Sequence, residues 1–557
     1  MDTNESKKIV SQHIFLFPFT VRSDKDFEDF WENLEKKNDE WERLPFTFKE
    51  DANLRYNEWV YFYDYVRKSL FDTEPEKNSE KENPFVKYFT IKRDIIKNSH
   101  IVYHLANIDK NGECKKDWKI FDLTINNISL FLFRTNVGVL SIELFNYKQK
   151  DGFIPNIDNN QSDNWYEEFK DILLINDFGR RIYPQFIGKV NGNNNDDNDC
   201  SKGTGATKNT FLADKIEFYL GTGAQEVEEF KTEDYLNEKI KNGMRFPSYF
   251  NLLLDDLKDK IVPLIDDRMY TVCWYGNNVL SKDLTQKTPE EEYKFLTSED
   301  WYKYVYIDGK DIGVANKKMM KALNRVATYD RWADYGTLFG ITRYSLVALT
   351  DESYFSYTIL REHMRGVYYL MAVLLLAQRA SIVHFFNKVT EISQVLDDKK
   401  PHSSEILERV TSLYASLIEF ENRLHFAEVT PQEQGIEMYK KAYKIMGIDE
   451  LSDDLKYEVE KLHNFIDLQN NKENSKRLTR IQKVVSSFSI LGVSIAIIES
   501  NLFDFLMDFI VRNTTLKVVI KFILLIIIIL LAFGFAFDFL GAFKKRWDKL
   551  IAKIRRK

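Results

Sequence analysis

The chain has 557 residues, of which 44% are hydrophobic and 29% charged, and its formal net charge is −7. That length exceeds the roughly 250–300 residues at which a single core stops growing, so more than one domain is expected. The charge is unevenly placed: residues 544–557 hold eight Lys/Arg against Asp548, a net of +7, which leaves −14 for the rest of the chain and argues against direct binding of nucleic acid.

Cys114, Cys200 and Cys273 lie far apart and form no CxxC. They read as reduced thiols of a cytosolic domain rather than as a disulfide framework. The polar N-terminus contains one apolar patch, Ile14–Phe19, too short for the core of a secretory signal. Asp24–Leu34 and Trp165–Leu174 have helical patterns. Leu123–Asn146 alternates apolar and polar residues on both sides of Asn136-Val137-Gly138, the pattern of two strands joined by a turn. Residues 191–210 carry almost nothing apolar and predict a mobile loop. Within it, Gly203-Thr204-Gly205-Ala206-Thr207-Lys208 lacks both the spacing of a phosphate loop and a preceding strand. Strands resume at Ile216–Leu220 and Met269–Trp274. Residues 1–350 are therefore expected to form an α+β domain.

From about Phe355 long helices take over, and residues 351–483 read as a helical stalk region. Tyr368–Ala377 is apolar but bounded by Arg365 and Arg379, which predicts a buried helix rather than a membrane crossing. A polar break at Asp397–Ser404 precedes a helix of about Glu405–Glu428. Thr430-Pro431-Gln432-Glu433 has the form of a capping box, and Ser452-Asp453-Asp454 marks a further start. Beyond it Leu455, Val459, Leu462 and Ile466 repeat at 4-3-4 spacing. No Pro or Gly interrupts the chain from Ser452 to Leu491, so one long helix should run straight into the apolar C-terminal region.

Residues 484–540 predict two transmembrane helices, about 484–502 and 518–537, with 541–557 as a basic cytoplasmic tail. The first span carries small and hydroxyl residues, whereas the second is nearly all aliphatic and aromatic. The second then suits lipid, and the first suits protein contact or a pore. Arg480, Ser487, Ser494 and Asn501 share one helical face at seven-residue spacing, with Leu491 and Ile498 between them as constrictions. These are the candidate pore-lining residues, though the serines equally permit close helix packing. Glu499, Asp504 and Asp508 on the connecting loop would ring an outer mouth and favour cations. Positive-inside orientation places both the tail and the N-terminal body in the cytoplasm, in a bacterial inner membrane. Two helices cannot enclose a pore alone, so a channel requires a homo-oligomer.

This organisation resembles the CorA family of divalent-cation channels. Thr135-Asn136-Val137-Gly138-Val139-Leu140, Asn176-Asp177-Phe178-Gly179-Arg180-Arg181-Ile182-Tyr183-Pro184, the run Arg331 to Ser345, Ala377-Gln378-Arg379-Ala380-Ser381 and the run Glu428 to Gly435 resemble the CorA-like membrane effectors associated with type III CRISPR systems. The resemblance covers most of the chain from about residue 120. It implies an antiviral channel gated by a nucleotide second messenger, here a conjugate of S-adenosylmethionine and AMP, and by analogy a pentamer. Where CorA transporters carry Gly-Met-Asn at the end of the first span, this chain has Glu499-Ser500-Asn501. Magnesium selectivity therefore does not carry over.

A phosphate-bearing ligand needs cationic donors beside an aromatic or apolar surface. Arg180, Arg181, Arg268, Arg331 and Arg343 are the candidates, because the arginine fork donates two parallel hydrogen bonds. Pairing with local carboxylates is the alternative for each. No HExxH, clustered His/Asp set or nucleophile–base pairing is visible, so neither a catalytic residue nor a metal site is expected. No resident cofactor is expected either, with a divalent cation allowed as a second ligand. The expectation is a non-enzymatic, messenger-gated membrane channel that disturbs the host membrane or its ion balance. A constitutive CorA-like divalent-cation transporter and a non-conducting, membrane-tethered binding protein are the alternatives.

Overall fold

The computed structural model describes residues 8–527 except 22–29, 31, 35, 37–39, 47–52, 74–83, 109–113, 148–165, 167, 183–212, 222, 230–245, 267, 310–312, 399–402, 499–515, 517 and 525. The chain divides into two compact units: Met1–Gln394 with Ser412–Glu458, and Val395–Thr411 with Val459–Lys557. The helical residues 351–394 and 412–458 thus belong to the same unit as the preceding α+β region. The expected loop 191–210 and the basic tail lie outside the described residues, as does most of Asp24–Leu34.

The apolar patch near the N-terminus is the middle of the central strand, β1 (Ile9–Val21), and all thirteen of its residues are buried. Twelve more strands follow among the described residues: β2 (Trp41–Arg43), β3 (Val86–Ile91), β4 (His100–Ile108), β5 (Cys114–Phe133), β6 (Val137–Tyr147), β7 (Lys215–Tyr219), β8 (Gln225–Glu229), β9 (Ile261–Pro263), β10 (Tyr270–Gly276), β11 (Thr328–Tyr329), β12 (Leu338–Ile341) and β13 (Ser345–Thr350). They form one sheet in the order β11-β12-β13-β10-β1-β6-β5-β4-β7-β8, with β3 also on β5, β2 on β3 and β9 on β1. Among the described strands only β10 and β13 pair in parallel. The expected hairpin is β5–β6, and its turn closes on Asn136, whose φ of 63° suits an Asn better than a branched residue. The expected strands near 216 and 269 are β7 and β10. Mixed sheet and helix, an α+β architecture, is what the chain adopts.

Strand alternation gives β1 two different faces. On one, His13 Nδ1 lies 2.7 Å from Asn176 Oδ1 on α1 (Phe169–Gly179), and the Phe17 ring meets Phe246 and Phe250 edge-on. On the other, Gln12 donates to Glu143 at 2.9 Å, and Thr20 lies 3.0 Å from His384 Nδ1. Arg365 also binds Glu143, at 2.9 Å. Helix α1 begins four residues later than the sequence pattern suggested and runs five further. Its packing face, not the local pattern, sets those limits.

His384 belongs to a long helix, Val367–Asp398. Its apolar start, Tyr368–Ala377, covers the sheet, anchored nearby by Ser129–Tyr369 at 3.2 Å and Thr135–Ser381 at 2.6 Å. Among the described residues, Ser356–Val395 is the one helical stretch long and apolar enough to cross a membrane, and 83% of its apolar window is buried inside the fold. That burial is what the flanking arginines suggested.

With the intervening helix Glu299–Tyr306 labelled α2, Val367–Asp398 is α3, and α4 (Ser403–Arg423), α5 (Glu433–Met446) and α6 (Ile448–Ile498) follow. Two expected starts move. Helix α5 opens at Glu433, and the Thr430 hydroxyl bonds Tyr61 O and the Gln432 amide instead of capping a helix that includes Pro431. Helix α6 opens at Ile448, four residues before Ser452, because Gly447 (φ 65°) makes the break. Ser452 then turns its hydroxyl to Glu421, at 2.9 Å. From Ile448 the helix is continuous for 51 residues, and Leu455, Val459, Leu462 and Ile466 form its buried stripe at 0–8% exposure.

Burial pushes the His13 imidazole down to about 4, against the opposing hydrogen bond to Asn176 Oδ1. The ordinary value is 6.5, so between pH 6.5 and 4 the unfolded chain takes up a proton that the folded chain refuses. The stability this contributes is complete above about 6.5 and is lost as pH falls toward 4, by roughly 3 kcal/mol. Unfolding midpoints of the full-length protein should therefore fall more steeply over that window than those of His13→Gln. Parallel curves would show that His13 does not titrate this way.

Candidate anion-binding site

Helix α1 ends where β1 comes closest to it. A side chain at Gly179 would sit 2.5 Å from the Phe15 ring, so only glycine lets the helix lie this near the strand. The next two residues are Arg180 and Arg181, delivered to the end of the sheet by that approach. Arg181 forms a bridge with Arg268, and the Met269 amide donates to Arg180 O at 2.6 Å, which ties the pair to the start of β10.

Arg180 is 3% exposed. Its Nη2 donates to Ile307 O at 2.7 Å, and Ile307 follows α2 in a left-handed conformation (φ 52°). Its Nε is buried with no hydrogen-bond partner among the described residues. Burial pushes the guanidinium down to about 10, partly countered by Asp177, so it stays charged at neutral pH. The Arg180 guanidinium carbon stands 6.0 Å from the centre of the Tyr344 ring, and that of Arg268 stands 5.5 Å from the same ring. Tyr344, in the β12–β13 turn, is positioned by its carbonyl, which accepts from Thr271 N at 2.9 Å.

Two of these cations are matched by carboxylates. Arg181 pairs with Asp177 at 2.7 Å, and Arg268 with Asp266 at 2.8 Å. Arg343, beside Tyr344, is exposed and donates Nε to Ile445 O at 2.9 Å. Arg379, on α3, donates Nη1 to Met446 O at 3.2 Å, and its own Nε is buried without a partner among the described residues. Burial lowers the Arg379 guanidinium and the charge on Arg343 lowers it further, while Tyr344 opposes both. Arg180, Arg343 and Arg379 make no ion pair with a described carboxylate. The result is two arginines, Arg180 and Arg268, over one aromatic ring, with two buried guanidinium donors, Arg180 Nε and Arg379 Nε, unpartnered among the described residues.

Of the five arginines singled out in the sequence, Arg180, Arg181 and Arg268 come together at the start of β10, while Arg343, next to Tyr344 in the chain, has its guanidinium on the end of α5. Arg331 does not join them. It pairs with Glu437 at 2.8 Å, lies over Trp332 at 5.6 Å, and shares Glu437 with the Tyr329 hydroxyl, so it fastens β11 and its following loop to α5. The local-carboxylate alternative holds for it, as it does for Arg181 with Asp177 and Arg268 with Asp266. Tyr344 and Arg379 had not been singled out as ligand groups. The signal for Arg379 was an arginine inside an otherwise apolar helix, where an unpaired charge is costly. Tyr344 had none.

A second polar set was not legible at all. Ser11 Oγ lies 2.9 Å from His13 Nε2, Cys273 Sγ lies 3.5 Å from His13 Nδ1, and the Tyr304 hydroxyl reaches Cys273 at 3.4 Å. With Asn176 this makes a Cys–His–Asn constellation, but His13 and Cys273 are 0% exposed. Burial pushes the thiol up to about 12 and the imidazole down, so both stay neutral. Such a network orders the core and offers no activated nucleophile. Among the described residues no group of three or more His, Cys, Asp or Glu is placed to hold a metal ion.

Of the candidate pore face, Arg480 is exposed on α6. Ser487, Leu491, Ser494 and Ile498 lie in the helical backbone of α6, and their side chains fall outside the description. Glu499, Asn501, Asp504 and Asp508 lie outside the described residues altogether. Leu516, Val518, Val519, Phe522, Ile523, Ile526 and Ile527 are helical with 43–65% of each exposed.

No protein-family model, no curated protein and no solved structure matches this chain.

Charge-assisted hydrogen bonds are worth about 1.5–3 kcal/mol, or roughly 10- to 100-fold in affinity. Calorimetric titration of inorganic pyrophosphate into the full-length protein should show binding weakened by about that factor in Arg180→Gln. Arg331→Gln should bind as the wild type does, and equal losses in the two variants would refute the assignment.

Proposed function

We propose that this protein is a membrane effector whose N-terminal unit binds a phosphate-bearing nucleotide messenger and whose C-terminal helices respond by conducting ions. The observation that carries this reading is the arginine set around Tyr344, with Arg180 nine-tenths buried and short of a partner. A buried guanidinium with an unused donor is a standing energetic cost that an anionic ligand relieves, and a tyrosine ring offers a face on which a base or sulfonium-bearing group can pack. The CorA-like resemblance narrows the messenger to a conjugate of S-adenosylmethionine and AMP, and the setting to type III CRISPR antiviral defence.

The membrane part of the reading rests on two features. The first is the apolar composition of 484–502 and 518–537. The second is a row of large apolar side chains left uncovered between Leu516 and Ile527, which suits a lipid-facing helix. A single copy has too few helices to enclose a path, so the conducting form is a homo-oligomer with the serine-bearing helix inward. The loss of Gly-Met before Asn501 favours a gated, less selective pore over a constitutive magnesium transporter.

Protein reconstituted in liposomes should pass cations only when the S-adenosylmethionine–AMP conjugate is added. Flux of Mg²⁺ without any nucleotide would favour the transporter reading, and the absence of flux under every condition would favour a non-conducting tether. Ser494→Leu should change the conductance if that face lines the pore, and should change assembly instead if it is a packing face.

A further inference from the structure

Two of the three arginines that make no ion pair with a described carboxylate, Arg343 and Arg379, hold the end of α5. A helix terminus leaves its last carbonyls without intrahelical partners. Here Ile445 O takes its bond from Arg343 Nε at 2.9 Å, and Met446 O from Arg379 Nη1 at 3.2 Å. The next residue is Gly447, buried, with φ 65°. A side chain there would stand 3.2 Å from Glu450 Oε2 and 3.6 Å from Arg343 Nη2. After this single left-handed residue the 51-residue helix α6 begins. The joint from which the long helix departs is therefore fastened by two cations that lie within electrostatic reach of each other and, through Arg379, of Tyr344.

We infer that Arg343 and Arg379 are positioning residues that couple occupancy of the anion site to the α5–α6 joint. The inference rests on the anion-site reading above. An arginine bonds an anion more strongly than it bonds a neutral carbonyl, because charge attraction adds to the hydrogen bond and the fork can donate two parallel bonds. An anion seated between Arg180, Arg268 and Tyr344 attracts the two neighbouring guanidinium groups that have no carboxylate of their own. Arg379 already has an idle buried Nε to offer. As Arg343 and Arg379 turn toward the anion, the carbonyls of Ile445 and Met446 lose their partners and the Gly447 joint loosens. Because coupling is reciprocal, a loosened joint also raises affinity for the anion.

The test is hydrogen exchange of residues 447–451 in the full-length protein in nanodiscs, with inorganic pyrophosphate and the S-adenosylmethionine–AMP conjugate as separate probes and calorimetry run alongside. In the wild type, a saturating probe should speed exchange of this segment by roughly 5- to 150-fold, the range that coupling between two sites ordinarily spans. In Arg343→Gln/Arg379→Gln, higher probe concentrations should still saturate the site, and exchange should no longer respond. Saturation of the wild type without any change at 447–451 overturns the inference, as does a double variant that responds like the wild type. The wild-type measurement needs no substitution, so a poorly folded variant does not rescue the idea. If pyrophosphate binds and loosens the joint while the conjugate does not bind, the coupling stands and the nucleotide reading fails. If neither probe binds, the anion site itself falls and the coupling falls with it.

Discussion

The N-terminal unit depends on the complete burial of β1. A strand with both faces covered must find a partner for every polar group it carries, because an unpaired one costs on the order of 1–3 kcal/mol. β1 carries Ser11, Gln12, His13 and Thr20 among its apolar residues, and each of the four is buried. Their partners lie on the neighbouring strand and on helices above and below the sheet. Asn176 on α1 meets His13, Glu143 on β6 meets Gln12, and His384 on α3 meets Thr20. The apolar residues of β1 drive the layers together, and its polar residues decide where along the strand each helix is held.

The arginine site follows from that placement. Once Asn176 is fixed over His13, the end of α1 falls on Phe15 and the next residue, Arg180, is carried under the protein surface. Once His384 is fixed to Thr20, Arg379 lies one helical turn and a residue earlier on α3, near the carbonyl end of α5. Arg268 and Tyr344 arrive at the starts of β10 and β13, the one parallel pair among the described strands, so both strands begin at the same end.

The electrostatics of the two buried sets contrast. In the Cys–His–Asn set each group is neutral in its buried form, so desolvation is avoided by shedding charge. Arginine has no such recourse near neutral pH, since burial lowers Arg180 only to about 10. Its charge must be met by carbonyls, by ring faces or by an anion. That difference marks the first set as part of the core and the second as a place for a ligand.

What the sequence determined alone were the features set by local spacing and by composition. These were the β5–β6 hairpin with its Asn136 turn, the buried rather than spanning character of Tyr368–Ala377, the unbroken helix beyond Ser452, and its 4-3-4 stripe. Each is a short-range pattern that the chain keeps whatever else it touches. The list of arginines was legible by residue type, but type could not separate Arg331, which meets Glu437, from Arg180, which meets a carbonyl and a ring. Helix starts at Thr430 and Ser452 were misplaced because a hydroxyl can bond a distant carbonyl or carboxylate as readily as it caps a helix. The tertiary structure alone decided that Ile14–Phe19 is the centre of the sheet, that Tyr344 lies over Arg180 and Arg379 on the end of α5, and that Gly447 is the joint. Those relations join residues more than 250 positions apart, as Ile14 is from Val272, and a one-dimensional pattern carries no information about which distant partners will satisfy a buried charge.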